Sequence, residues 1–461
     1  MTKQEGPKSP AQVKQELLEE MERVASELLE WQRMNPGSDF GAMEQQLLEW
    51  RKQLGERLTE GLLEIQGQRR PVDAQCAQCG GGLSYKYMQG MWIVSRLGTV
   101  QVERAYYYCA ACQQGHVPLD EQLGLLTKHL SPGVVEQLTW LNGHTATYGE
   151  SVQILEQLTG VQVSKSTGWR VVQEYGARLG AQIAAEAEQI KAQAREWRVP
   201  ARGKAERRRM GVSADGGMIY IRGEGWKELK IGTLFEVEMQ PERDTGTGDI
   251  ESYGHAVRCS YVGHLGGPEK LGEQLWIEAQ RRGWPLAQEG LVIGDGAAWI
   301  WGLRDEHFPA THMLVDWYHA VEHLERAKQI AFPEGDVAAS RWINSAKQTL
   351  YQGHARRVAR SIQRLIQHCP QHAPALETEA HYFNTHHRRM HYHELRTDGW
   401  PIGSGMTESA VKRTAARFKG AGMRWSRPGA ENLLPVRLAV LSGAARFTEL
   451  WQRVLAAHIS P

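Results

Sequence analysis

The chain has 461 residues, of which 41% are hydrophobic and 23% are charged, and its formal net charge is +1. This length exceeds one ordinary domain, so we expect two or three domains of globular composition. The near-zero net charge excludes a uniformly basic nucleic-acid binder, so any basic surface must be local and balanced by acidic residues elsewhere.

Residues 1–10 are polar and no apolar run follows them, so we expect no signal peptide. No stretch reaches the roughly 18 consecutive apolar residues of a membrane span. We therefore expect a soluble intracellular protein without a membrane partner. Six cysteines in such a chain favour metal ligation or free thiols over disulfides.

Residues 1–70 are predicted to be a helical region. Apolar residues recur at helical spacing over 17–29 and 43–62, and a polar segment with Pro and Gly at 35–39 separates two helices. Such apolar stripes commonly face a core, and self-association through a helical coil is the alternative.

Residues 71–120 contain two Cys-x-x-Cys pairs, each close to glycines that favour turns. The four cysteines are Cys76, Cys79, Cys109 and Cys112. This spacing predicts a tetrahedral thiolate site for Zn²⁺, and the strand-forming segment between the pairs, with a turn at Gly98, completes a zinc ribbon. Because four thiolates leave no open coordination position, we expect the zinc to be structural rather than catalytic.

Residues 121–197 are predicted to contain a helix-turn-helix. One helix covers 151–159 and ends at Gly160, and Ser164 can N-cap a second helix over 165–175. A separate helix is predicted over 181–197. In the DNA-binding form of this motif, the first turns of the second helix meet the DNA, and the residues there are Lys165, Ser166, Thr167 and Arg170. An ordinary pair of packed helices is the alternative.

Residues 198–209 form a basic linker that contains Pro and Gly. Such a segment can lie along a phosphate backbone, and a solvated run of charges is the equally simple interpretation.

Two predicted strands each run into an Asp-Gly pair. Residues 291–293 are a β-branched apolar run, typical of a strand buried on both faces, and Asp295 follows it between two glycines. An earlier strand over 209–215 ends in Asp215 and Gly216. The glycines beside Asp295 are expected to let a metal ion and a DNA backbone approach it. The alternative is that Asp295 is only a turn residue or a helix N-cap.

The order of the predicted elements places these two aspartates together. Strands over 218–221, 228–238 and about 258–263 precede a helix over 269–282, the strand of Asp295 and a strand over 312–316. This order is typical of an RNase H-like sheet, in which the first strand is central and pairs with the strand of Asp295. Adjacent carboxylates repel each other unless a cation lies between them, and Mg²⁺ or Mn²⁺ is the natural one.

A third carboxylate, Glu408, lies near the start of a predicted helix that Ser404 can N-cap. An i,i+4 ion pair with Lys412 is the alternative role of Glu408. Asp316 is the rival third metal ligand, but its strand lies farther from Asp215 in the predicted sheet. Basic residues follow Glu408, and DNA contacts are expected from Lys412, Arg413, Arg417, Lys419 and Arg424.

With these motifs in this order, the chain resembles bacterial insertion-sequence DDE transposases of the ISKra-type group, which are related to Mutator-like transposases. The resemblance covers about residues 210–427. It is carried by Ser213-Ala-Asp215-Gly, Gly294-Asp295-Gly-Ala-x-Trp299, Asp316-x-x-His319 and Gly403-Ser-Gly-x-x-Glu408-Ser. It implies that Asp215, Asp295 and Glu408 bind Mg²⁺ or Mn²⁺, and that Asp316 and His319 orient the metal ligands or the DNA.

The resemblance implies a multidomain α+β protein whose RNase H-like α/β catalytic domain spans 210–430, with a helical insertion at about 332–390 and a C-terminal helix at 431–461. Trp342 in the insertion is expected in the core rather than stacked on a DNA base. The implied activity is metal-dependent phosphodiester hydrolysis at transposon ends and strand transfer into target DNA.

The implied partners are double-stranded DNA, both terminal inverted repeats and target, and further copies of the chain in the active complex. The implied location is the bacterial cytoplasm, at the nucleoid. Two alternatives remain: a non-catalytic DNA-binding protein derived from a transposase, and a structure-specific nuclease on the same fold.

Overall fold

The protein is described here by a computed structural model, which covers residues 8–66, 71, 73–125, 129–194, 208–243, 250–420 and 422–459. It divides into two compact units, residues 1–179 with 448–461 and residues 180–447. The mixed helix and strand content confirms the expected α+β class. The basic linker predicted at 198–209 lies outside the described residues, except for its last two.

The first unit contains a small antiparallel sheet and several helices. Its elements are α1 (Pro10–Met34), α2 (Phe40–Gln66), β1 (Ser84–Ser95), β2 (Gly98–Cys109), β3 (Gln114–His116), α3 (Pro118–Gln122), α4 (Pro132–His144), α5 (Tyr148–Thr159) and α6 (Lys165–Ala194), the last of which continues into the second unit. The two N-terminal helices and the break between them are confirmed. A capping box starts α1, because Ser9 Oγ accepts from Gln12 N–H and Gln12 Oε1 accepts from Ser9 N–H.

The hairpin of β1 and β2 is built by alternation of apolar and polar residues. Met91, Ile93, Val100 and Val102 are buried together on one face, while the residues between them point outward. The strands turn at Gly98, whose φ of +132° favours glycine. The predicted turn position is therefore confirmed.

The predicted helix break after residue 175 is wrong. Gly160 ends α5 in the left-handed conformation, and Ser164 Oγ accepts from Thr167 N–H at 3.1 Å, so both predicted caps are confirmed. From Lys165, however, a single helix of 30 residues runs to Ala194. Glycines inside a helix cost only about 1 kcal/mol each relative to alanine, too little to interrupt a long helix that packs along its length.

The second unit is built on a five-stranded sheet. Its elements are β4 (Arg209–Ile221), β5 (Gly225–Arg243), β6 (Ile250–Leu265), α7 (Pro268–Arg281), β7 (Glu289–Gly294), α8 (Ala298–His307), β8 (His312–Val315), α9 (Trp317–Ala331), α10 (Val337–Tyr351), α11 (Ala355–His368), α12 (Ala373–His386), α13 (Tyr392–Thr397), α14 (Gly405–Lys419), α15 (Arg427–Leu441) and α16 (Ala444–Ile459), which continues into the first unit. The strand order is β6-β5-β4-β7-β8. Strand β4 is central, antiparallel to β5 and parallel to β7, as expected for the strands of Asp215 and Asp295.

Strand β4 does not end at Asp215, and the predicted turn there is wrong. The strand continues to Ile221, and the hairpin turn falls at residues 222–224. The two glycines after Asp215 allow close packing instead. A Cβ at Gly216 would lie 2.3 Å from Glu228 Oε1, and one at Gly217 would lie 3.2 Å from Val411 Cγ1 of α14. Asp215 therefore lies inside a strand rather than at its end.

The core of this unit joins the sheet to the predicted helical insertion. Val212, Leu291 and Leu314 of the sheet belong to one buried cluster with Ile362 of α11 and Phe383 of α12. Trp342 of α10 is partly buried against this cluster, and its Nε1–H donates to Ser361 Oγ at 3.0 Å. The predicted core position of Trp342 is therefore confirmed only in part.

The predicted single C-terminal helix over 431–461 is wrong. Two helices, α15 and α16, occupy the end of the chain, and they break at Gly443, whose φ is +106°. Among the helices that the structure describes, none combines the length and the apolar character needed to cross a membrane.

Candidate functional site

Four cysteines of the first unit converge into a tight cluster. Cys76 and Cys79 lie on the turn before β1, Cys109 ends β2, and Cys112 lies in the turn to β3. Their sulfur atoms all lie within 4.8 Å of one another. Four converging thiols are the donor set of a structural zinc site, so the predicted grouping is confirmed and the cluster could bind zinc.

The protonation of these thiols fits metal binding. The backbone N–H of Cys112 donates to Cys109 Sγ at 3.4 Å and lowers the pKa of Cys109 to about 7. Hydrogen bonding to Cys79 raises the pKa of Cys112 to about 12. Burial opposes ionisation of Cys76, but hydrogen bonds outweigh it and also lower the pKa of Cys76. The surroundings therefore favour thiolates at Cys76 and Cys109, while a bound cation would be needed to ionise Cys112 as well. His116 Nε2, 3.4 Å from Cys76 Sγ, adds a neighbour that the Cys spacing did not indicate.

The predicted DNA-contacting residues of α6 lie at its first turns. Lys165, Ser166 and Arg170 are exposed, and Thr167 is half-buried. The Arg170 guanidinium donates to Thr167 Oγ1 at 3.3 Å. The polar face at this helix start is therefore accessible to a partner.

Asp215 lies on the face of the sheet against which α14 packs. Alternate residues of a strand share a face, so Asp215 lies on the same side of β4 as Ser213 and Gly217. Thr233, which pairs with Ser213, accepts a 2.8 Å hydrogen bond from Thr407 of α14. Asp215 Oδ1 accepts from the N–H of Gly216 at 2.6 Å. The carboxylate is therefore directed toward the helix that carries Glu408.

Asp295 follows β7 directly, at the level of Asp215. Each aspartate lies two residues beyond the paired residues Ser213 and Ile293. Asp295 Oδ1 accepts from Ala297 N–H at 2.8 Å, which is the Asx turn named above as the alternative. Within the described part of the chain its second carboxylate oxygen has no hydrogen-bond partner. Asp295 therefore forms the turn and still offers an oxygen to a ligand.

The glycines beside Asp295 allow close packing, a role that the sequence did not indicate, while their expected role of admitting a metal and DNA stays a prediction. Gly296 has a φ of +112°, and a Cβ there would lie 3.1 Å from both Tyr382 Cε2 and His386 Nε2 of α12. A Cβ at Gly294 would lie 2.8 Å from Ile300 Cδ1. Because these two positions carry no side chain, α8 and α12 pack directly against the loop of Asp295.

Glu408 completes an electrostatic neighbourhood of three acids. Burial raises the pKa of Asp215, and the charges of Asp295 and Glu408 raise it further. The three carboxylates are nevertheless farther apart than the sulfur atoms of the cysteines. Among the described residues, only the four cysteines place three or more possible metal-ligand atoms within 4.8 Å of one another. Glu408 is 41% exposed and forms an ion pair with Lys412, the alternative role named above.

Asp316 is a buried hydrogen-bond acceptor at the junction of β8 and α9. It is 2% exposed; its Oδ1 accepts from His319 N–H at 2.9 Å, and its Oδ2 accepts from the N–H and hydroxyl of Ser404. Ser404 therefore does not cap α14 with its side chain, which corrects that prediction, because its hydroxyl is bound to Asp316. With both oxygens occupied, Asp316 holds the segment before α14 in place.

His319 is a cation beside the acids. Its Nδ1 lies 3.3 Å from Asp316 Oδ1, and this hydrogen bond raises the pKa of His319 to about 9. Burial raises the pKa of Asp316, but hydrogen bonds from His319 and Ser404 outweigh it and hold that pKa below its usual value. The positive charge of His319 lowers the pKa of Asp215, and the negative charge of Asp295 raises the pKa of His319, so His319 interacts electrostatically with both aspartates.

We expect His319→Gln to destabilise the fold by about 1–3 kcal/mol near pH 6, because the lost imidazolium–carboxylate interaction accounts for the raised pKa. A pKa raised on folding stabilises fully below the ordinary value of 6.5, and this contribution is lost as the pH rises through about 9. Urea unfolding of both proteins at pH 6 and pH 9.5, without added divalent metal, measures it. A difference that is equal at both pH values would contradict the ion pair.

The insertion supports the loop of Asp295 through a chain of contacts that the sequence did not indicate. Tyr382 Oη–H donates to the backbone carbonyl of Asp295 at 2.8 Å. The Tyr382 ring stacks on His323 with centroids 3.5 Å apart, and His323 Nδ1 lies 2.5 Å from Glu379 Oε2. Burial lowers the pKa of both His323 and His386, the latter to about 4, so these imidazoles are neutral at pH 7.

Tyr382→Phe is expected to lower the free energy of unfolding by about 1–2 kcal/mol, since it leaves the backbone carbonyl of Asp295 without the hydroxyl that donates to it. Urea unfolding of the wild type and the variant at pH 7 measures the difference. Tyr318→Phe, at a tyrosine that is 64% exposed, is the matched control. Equal free energies of unfolding for Tyr382→Phe and the control would contradict the support that Tyr382 gives to the loop of Asp295.

Two further charged residues lie on the strand next to Asp215. Lys230 is 4% exposed, pairs with Glu228 and lies over the Trp299 ring, 4.9 Å from its centroid. Lys230 is the partner of Gly216 in the sheet, so it lies on the opposite face from Asp215. This contact ties β5 to the helix that follows Asp295.

The basic residues after Glu408 differ in accessibility. Lys412, Arg413, Lys419 and Arg424 are exposed. Arg417 departs from the expected surface contact with DNA, because it is 1% exposed and its guanidinium lies over the Trp425 ring. The helical period explains this, since Arg417 shares the buried face of α14 with Ala410 and Thr414.

No protein-family model and no curated protein sequence matches this chain.

Proposed function

We propose that this chain is a DNA transposase whose second unit is an RNase H-like catalytic domain. The observation that supports the proposal is the electrostatic interaction of Asp215 with two other acids. Asp215 lies on β4, Asp295 directly follows the adjacent β7 at the same level, and Glu408 lies on α14, which packs against the face of β4 that carries Asp215. The strand order β6-β5-β4-β7-β8 is the one such a domain requires.

The donor set at this site fits Mg²⁺ or Mn²⁺. Asp215, Asp295 and Glu408 offer hard carboxylate oxygens, and burial together with the charges of Asp295 and Glu408 raises the pKa of Asp215. Glu408 would give up its ion pair with Lys412 and bind the cation instead, since the Lys412 side chain is exposed and can move away. A bound divalent ion supplies Lewis acidity for phosphodiester hydrolysis and for attack by the freed 3′-hydroxyl.

The remaining residues position the ligands and the DNA. The His319 imidazolium attracts a phosphate next to the acids, while Asp316 fixes both His319 and the start of α14. The exposed Lys412, Arg413 and Lys419 extend a basic surface from the site. Positive charge beside an acidic metal site suits a phosphodiester substrate.

The first unit would bind the transposon ends. The start of α6 offers Lys165, Ser166, Thr167 and Arg170 to the major groove, as in a helix-turn-helix, and zinc at the four cysteines would hold the β1–β3 sheet. The proposed partners are terminal-repeat and target DNA, together with further copies of the chain in the active complex. The proposed location is the bacterial nucleoid.

A second candidate function, a non-catalytic DNA-binding protein of the same origin, is favoured by one observation: Glu408 is paired with Lys412 rather than drawn to the aspartates. A structure-specific nuclease is a third candidate. Incubation with Mg²⁺ and duplexes made from the DNA on both sides of the gene separates them. A transposase cleaves and joins strands, a nuclease only cleaves, and the non-catalytic protein only binds.

A further inference from the structure

The helix α11 of the insertion carries an unusual charge pattern. Its exposed arginines are Arg356, Arg357, Arg360 and Arg364, and the helix contains no aspartate or glutamate. Arg356, Arg360 and Arg364 follow each other at i,i+4, so they form one row along the helix. At 1.5 Å per residue the row is about 12 Å long.

Several exposed arginines on other helices are neutralised by glutamates of the same helix. Arg23 pairs with Glu20 and Glu27, Arg57 pairs with Glu60, and Arg178 pairs with Glu174. No ion pair engages the α11 arginines within the part of the chain that the structure describes. Like charges at i,i+4 destabilise a helix. The α11 row therefore combines like charges at i,i+4 with no acidic partner on its own helix, and an external anion would compensate this charge.

The opposite face of α11 is fully committed to the core. Val358, Ala359 and Ile362 are at most 1% exposed and belong to the large buried cluster of this unit. A helix that binds a lipid surface needs a free apolar face, which α11 does not have. Only its charged face is open to a partner.

A groove of about 310 Å³ between α10 and α11 reaches α11 at Arg357, the chain neighbour of Arg356 in the arginine row. None of its lining residues is acidic. Its lining combines the apolar Trp342, Ala346 and Val358 with hydroxyl and amide side chains, namely Ser345, Gln348, Thr349, Gln352 and Ser361. Arginine, hydroxyl and amide donors are the groups that contact phosphate oxygens.

We propose that α11 and this groove bind the phosphate backbone of duplex DNA, as a surface separate from the acids of the site. The inference rests on the proposed function, which makes duplex DNA the substrate. A row of about 12 Å spans three to four base pairs at 3.4 Å per step. Contacts to phosphates position a duplex without reading its sequence.

The test replaces Arg356, Arg360 and Arg364 together with glutamine in the full chain. The control replaces Lys14, Arg51 and Lys52 with glutamine, since these are exposed cations on α1 and α2 and the net charge changes equally. Fluorescence anisotropy with a labelled 30-base-pair duplex, without divalent metal, gives the affinity at several salt concentrations. We expect the α11 variant to reduce the slope of log K against log salt by up to about 2.7, at about 0.9 per lost phosphate contact.

The control is expected to keep the wild-type slope, and circular dichroism checks that both variants are folded. An α11 variant with the wild-type slope would overturn the inference, as would a change seen with duplex RNA or anionic vesicles but not with DNA. Strand cleavage by the wild type is scored separately. Cleavage with an unchanged slope refutes only the α11 surface, whereas a reduced slope without any cleavage refutes the catalytic proposal and leaves the surface standing.

Discussion

Asp295→Asn is expected to lower the rate of strand cleavage by at least about 10³-fold while the fold is retained. Asparagine keeps the carbonyl oxygen that accepts from Ala297 N–H, so the turn after β7 is preserved. What it removes is the negative charge that, together with Asp215, would hold the divalent cation. The measurement is single-turnover cleavage of duplex DNA from the gene ends in Mg²⁺.

The matched control is Asp305→Asn on α8, which removes the same charge from an exposed aspartate paired with Arg304. An exposed pair of this kind contributes about 0–1 kcal/mol, so stability and cleavage should stay near wild type. Asp215→Asn and Glu408→Gln are expected to behave as Asp295→Asn does. Cleavage that survives all three substitutions at the acids would refute the proposed site.

Cys109→Ser is expected to unfold the β1–β3 sheet, because structural zinc sites contribute about 10–16 kcal/mol in small zinc domains. Cys109 belongs to the cysteine cluster and pairs with Gln114 between β2 and β3. Loss of its thiol therefore weakens both the metal site and the pairing of these strands. Zinc content by mass spectrometry should fall from one per chain to none, and amide exchange over residues 84–116 should accelerate.

Cys259→Ser, at a half-buried thiol outside the cluster, is the matched control and is expected to keep its zinc. Slow amide exchange over residues 84–116 in zinc-free protein would show that this sheet is stable by its own packing. It would remove the structural role assigned to the metal.

The cysteine cluster could be predicted because each Cys-x-x-Cys pair is a local pattern typical of a zinc ligand pair. The strand before Asp295 could be predicted because a β-branched run such as 291–293 suits a strand buried on both faces. The central position of β4 was expected from the order of the elements by comparison with an RNase H-like sheet, not from local residues.

The local geometry at the acids could not be predicted in the same way. The Asp-Gly-Gly sequence at 215–217 is typical of a turn. In the structure it lies within a strand, where the two glycines leave room for Glu228 and Val411. Ser404 has the residue type of an N-cap, but it donates to Asp316, 88 residues away in the sequence. Tyr382 is 87 residues from Asp295. Such contacts depend on tertiary packing, which overrides local preference.

The central claim is that Asp215, Asp295 and Glu408 together hold a divalent cation. Crystals soaked in Mn²⁺, measured for anomalous scattering at the manganese edge, test it most directly. We predict a peak with oxygen atoms of Asp215 and Asp295 at about 2.0–2.2 Å, and with Glu408 moved from Lys412 toward the ion. Manganese bound elsewhere, with the Glu408–Lys412 pair intact and the space between the aspartates empty of metal, would contradict the account.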